Sequence, residues 1–69
     1  MAVPMKILEV RGDGTGVAEL DGSRHEVNLS LVPDASAGMY VVVHAGFAIE
    51  RIKEKEARKT LKALREINE

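Results

Sequence analysis

Polar and apolar positions follow two different periods along this chain, and the change falls near residue 53. Before it, short apolar stretches alternate with turn residues. Met5 to Val10 is apolar-rich and reads as a first strand. Gly12-Asp13-Gly14-Thr15-Gly16 follows as a turn, because glycine reaches positive φ cheaply and aspartate bonds its own backbone. Val17 to Leu20 reads as a short second strand. Asp21-Gly22 is the type I′ pair that suits a two-residue hairpin. Arg24 to Leu29 then alternates, with His25, Val27 and Leu29 on one face and Arg24, Glu26 and Asn28 on the other. That places His25 on the inner face as a structural residue. Val32 to Gly38, with Pro33 and Asp34, reads as a loop. Met39 to His44 is a β-branched strand, and its unbroken Val41-Val42-Val43 suggests burial on both faces, one of them under a helix. Ala48 to Ile52 is a last short strand.

Residues 53–68 switch to a helical period. Ala57, Leu61, Leu64 and Ile67 recur at spacings of four, three and three, with charged residues between them. Glu54 and Glu56 fall in the first turn, where the helix dipole favours acids, and Glu54 precedes Arg58 by one helical turn. Lys53 is a poor amino-terminal cap. A few short strands in an open sheet would leave exposed edges, so the economical arrangement is a mainly β fold: a small OB-like β-barrel, 1–52, with a C-terminal α-helix, 53–68, in a single domain.

Composition narrows the function classes. A chain of 69 residues buries only about 60% of the surface its unfolded form exposes, so the core is small. The chain has no cysteine, which excludes disulfides, thiolate metal sites and cysteine nucleophiles within it. No apolar run approaches a membrane span and the amino terminus lacks a signal-peptide pattern, so a cytoplasmic location is expected. The net charge is −1 but unevenly spread. Residues 1–49 hold three basic and six acidic groups; residues 50–69 hold seven and five. Single-stranded nucleic-acid binding, a common use of OB-like barrels, needs stacked aromatics along a basic groove. This chain has Tyr40, Phe47 and an acidic barrel segment, a composition that argues against nucleic-acid binding; the alternative function is a generic OB-like interaction or single-stranded nucleic-acid-binding module. The basic positions of the helix read as a solvated face.

Few residues carry possible chemistry. His44 ends an apolar strand and is either a packing residue or a ligand. With one histidine pair and no cysteine, a closed metal site is not expected. The Gly12, Gly14 and Gly16 loop lacks the following helix of a phosphate site and reads as a hairpin turn. No carboxylate pair or nucleophile–base pair stands at a useful spacing, so the chain does not read as an enzyme. The opening Ala2-Val3-Pro4-Met5 is apolar, and Phe47 lies in a segment led by Gly46; together they suggest a docking surface.

Those same residues carry a resemblance. Ala2-Val3-Pro4-Met5-Lys6-Ile7, Arg24 to Val32, and Val41-Val42-Val43-His44-Ala45-Gly46-Phe47-Ala48-Ile49 resemble the HypC/HupF hydrogenase assembly chaperones over nearly the whole chain. The resemblance implies an OB-like barrel with a C-terminal helix. It also implies a non-enzymatic maturation chaperone for nickel–iron hydrogenases. Such a chaperone pairs with a HypD-type iron–sulfur scaffold protein, helps carry an Fe(CN)2CO fragment transiently, and docks on the hydrogenase large-subunit precursor. Neither nucleic acid nor membrane is an expected partner, and no tightly bound cofactor is expected. The implied partner-binding residues are Ala2, Val3, Pro4, Met5, His44, Gly46 and Phe47, with Phe47 alternatively part of the core. Family members place a cysteine after the first methionine. Here Met1 is followed directly by Ala2-Val3-Pro4, which leaves His44 as the one side chain of the motif that could ligate iron.

Overall fold

A computed structural model describes residues 2–67; Met1, Asn68 and Glu69 lie outside the described residues. Five strands and one helix follow each other along the chain: β1 (Val3–Val10), β2 (Thr15–Leu20), β3 (Ser23–Asn28), β4 (Tyr40–His44), β5 (Phe47–Ile52) and α1 (Glu54–Ile67). The strands close into a barrel in the order β1-β2-β3-β5-β4. This is the OB-like barrel with a C-terminal helix that the pattern predicts. Asn68, expected in the helix, lies outside the described residues.

β1 is the strand both halves share. Lys6 lies opposite Glu19 of β2 and opposite Tyr40 of β4. The strand can serve two neighbours because the β1–β2 register shifts between Ile7 and Glu9, a bulge that bends it. Alternation then divides its side chains. Met5 and Ile7 enter the core with Ala18, Val27, Leu29, Val32, Val41, Val43 and Ala48. Pro4 lies on the opposite face, with Lys6, yet is also fully buried; α1 packs against β1 and β4 on that face. Val41 and Val43 are buried and Val42 half-buried, so the valine run is indeed covered on both faces.

The helix starts after Lys53, whose carbonyl accepts the first helical bond from the Ala57 amide at 3.0 Å. It crosses the strands above the row Ile52–Tyr40–Lys6–Glu19, which the registers align and which is half-buried throughout. Ala57 is fully buried and Leu61 and Leu64 half-buried. The side chain of Ile67, the last position of the expected stripe, lies outside the described residues. Arg65 reaches Asp21 in the β2–β3 turn and ties the far end of the helix to the hairpin.

One expectation about the barrel interior is overturned. His25 is exposed and not part of the core, although Val27 and Leu29 on the same face are buried. The reason is the seam. β3 meets β5 only at Asn28, opposite Phe47, in a single parallel pair. Among the described residues no strand lies on the outer side of β3 before Asn28, and Ser23 to Glu26 are exposed on both faces. Sequence alternation gives the face of His25 but not whether a wall stands opposite.

Candidate docking site

The segment His44-Ala45-Gly46-Phe47 is a two-residue hairpin. Ala45 has φ 53° and Gly46 φ 84°, the pair of positive values a type I′ turn demands. Glycine meets that demand freely; alanine does so at a cost of about 1–2 kcal/mol. The Gly46 carbonyl accepts a bond from the Asn28 amide at 2.8 Å, which fixes the turn against β3.

The turn sets His44 directly opposite Phe47. Opposed residues of an antiparallel pair share a face, and here both are exposed. His44 is therefore not a packed strand-end histidine, and Phe47, 44% exposed, is not core. The small barrel interior is filled by aliphatic side chains instead. Ile49 adds to the surface at 45% exposure. Ala48 faces Val43 and Glu50 faces Val42, so Ile49 is the extra residue of a bulge in β5. Val3 pairs with Val43, which brings the amino end of β1 alongside; Val3 is half-buried and Ala2 exposed.

Five of the residues marked in the sequence thus gather at one edge: Ala2, Val3, His44, Gly46 and Phe47. The side chains of Pro4 and Met5 do not join them. Met5 is a core residue and Pro4 is fully buried on the opposite face, so both support the arm from within. Ile49 was missed. Its separation from Phe47 by two positions was the available signal, hidden because the apolar run Phe47-Ala48-Ile49 has no polar break to show which members face out.

The edge presents an exposed imidazole and an exposed aromatic ring beside apolar side chains. Among the described residues no polar or charged residue is buried, and no group of three or more histidine, aspartate or glutamate side chains converges on a metal position. The glycine loop is a turn, as expected, with Gly14 at φ 89°. Asp13 there accepts bonds from the Thr15 hydroxyl at 2.6 Å and the Thr15 amide at 3.0 Å. Those bonds, the hydroxyl first, hold the Asp13 carboxyl below its ordinary range. Gly16 is different: it lies in β2 and is buried.

The profile of the HupF/HypC family matches residues 1–64. The chain belongs to the HupF/HypC family. It is 40% identical over 67 residues to the hydrogenase maturation factor HypC of Cupriavidus necator, an alignment spanning 97% of this chain and 74% of that protein. It is 38% identical over 69 residues to HypC of Azotobacter chroococcum, covering 100% of this chain and 82% of the relative. The hydrogenase maturation factor HybG of Escherichia coli K12 is 36% identical over 74 residues, with 99% and 90% covered. HupF/HypC membership agrees with the resemblance carried by the amino-terminal string and the His44 segment. Those are the two segments that the β1–β4 and β4–β5 registers bring together. Among the described residues no helix is long and apolar enough to cross a membrane.

Proposed function

We propose that this chain is a hydrogenase maturation factor, a chaperone without catalytic chemistry of its own, and that it docks on immature hydrogenase through the edge formed by Phe47, His44 and the amino end of β1. The observation that carries the reading is the pairing of an exposed Phe47 with an exposed His44 beside the start of β1, in a chain of the HupF/HypC family. A large aromatic left half in water on so small a domain is a natural anchor for a partner pocket. The hydrogenase large-subunit precursor is the client. A HypD-type iron–sulfur scaffold protein is the second partner, and the Fe(CN)2CO fragment is the cargo that passes through the assembly. In this reading the scaffold holds the iron, and this chain adds the His44 ring nitrogen beside it. Docking and cargo transfer are then separable steps.

The test is anaerobic co-purification of the tagged chain with a hydrogenase large-subunit precursor from the same host. Wild type retains the precursor. Phe47→Asp loses it by about 10-fold or more, as expected for an anchor residue, with an unchanged Tm. His44→Ala keeps the fold and lowers the infrared cyanide and carbonyl signal of the complex with the scaffold. A Tm loss in His44→Ala with unaltered binding and signal would make that histidine structural. Full retention by Phe47→Asp would remove the edge from the reading.

A further inference from the structure

A groove of about 480 Å³ runs between α1 and the outer wall of the barrel. One side is the aligned row Tyr40, Lys6 and Glu19, continued by Asp21 in the hairpin turn. The other is the face of α1 carrying Arg58, Leu61, Lys62 and Arg65, at spacings of three and four. Four cations thus face two acids. Two of the cations are engaged, Arg65 with Asp21 and Arg58 with Glu54. Lys6 and Lys62, one on each side, have no ion pair among the described residues. Between them Tyr40 and Leu61 are half-buried and supply apolar surface.

We infer that this groove binds an acidic amphipathic segment of a partner protein, its apolar side chains against Leu61 and Tyr40 and its carboxylates between Lys6 and Lys62. A segment with separated carboxylates can place one at each lysine with its apolar side chains between them. A nucleic-acid strand would find little stacking surface, since Tyr40 is the one aromatic of the lining. Tyr40 and His44 stand at opposite ends of β4, so the groove is a second contact surface whose occupancy does not depend on the docking edge.

The groove is tested by titrating the isotope-labelled chain with a blocked leucine–glutamate amphipathic peptide and following amide chemical shifts. Saturable shifts are expected at Lys6, Leu61 and Lys62, weakening as salt is raised. Lys6→Glu with Lys62→Glu should weaken binding by about 10-fold or more through like-charge juxtaposition, with Tm retained. Lys55→Glu with Lys59→Glu makes the same change of net charge outside the groove and should weaken it by less than about 2-fold in physiological salt. Absence of saturable shifts overturns the inference. So does equal loss in the two double variants, equal binding of a leucine–glutamine peptide of the same pattern, or tighter occupation of the same residues by oligothymidylate.

Discussion

At Gly16 a β-carbon would lie 2.6 Å from the Glu9 carbonyl oxygen and 2.7 Å from Leu29 Cδ1. The first of these is backbone and has little room to yield. Gly16→Ala should therefore destabilise the fold by about 1–3 kcal/mol, measured by chemical denaturation. In the sequence Gly16 looks like one more turn glycine beside Gly14; what distinguishes it is contact with residues far along the chain, which local pattern does not carry. Ala45 makes the opposite case. Asparagine tolerates its positive φ better, so Ala45→Asn should raise stability by up to about 1 kcal/mol and raise Tm. Thr15→Val removes the hydroxyl that depresses Asp13, so its carboxyl should titrate closer to the ordinary range in a carbon-detected NMR titration. The sign follows from linkage. A carboxyl held low in the folded state adds stability above its unfolded pKa and loses it as pH falls through the folded value. The acid limb of wild-type stability should therefore be flatter in Thr15→Val.

Helix α1 is held by a narrow seat. Ala57 is fully buried while Leu61 and Leu64 are only half covered, so packing concentrates in the first half of the helix. Ala57→Leu should overpack that seat at a cost of about 1–3 kcal/mol and lower the far-ultraviolet helical signal before the barrel melts. The 3.6-residue period made this element legible, and the paired DG turn did the same for the β2–β3 hairpin. Strand existence was legible throughout; strand ends were less so, since Val3, Pro4 and Thr15 enter the ladder through long-range pairing and Phe47 through the turn at Ala45-Gly46. The free side of β3 was not legible at all. Its two-residue turn and the Asn28 bond to Gly46 direct the Arg24 and Glu26 amides away from β2. Those two amides should exchange with solvent faster than the His25 and Val27 amides, which face β2, in a hydrogen-exchange measurement.

Across the whole molecule, the apolar interior is aliphatic and the residues of the proposed docking edge lie on its surface. The sequence alone brought the amino-terminal string and the His44 segment into view, yet only the strand registers show that they adjoin. Pro4 and Met5 share that string and still fall on the other side of the boundary between support and contact. The shared position of β1 carries a mechanical consequence. A partner that seizes the amino terminus and pulls along the strand strains the ladders to β2 and β4 together, in shear, where many bonds resist at once. The join between β3 and β5, one pair wide, would yield far sooner. Force delivered at the amino terminus is thus borne by the wall of the barrel, and any give would begin at the join beside Asn28 and Gly46.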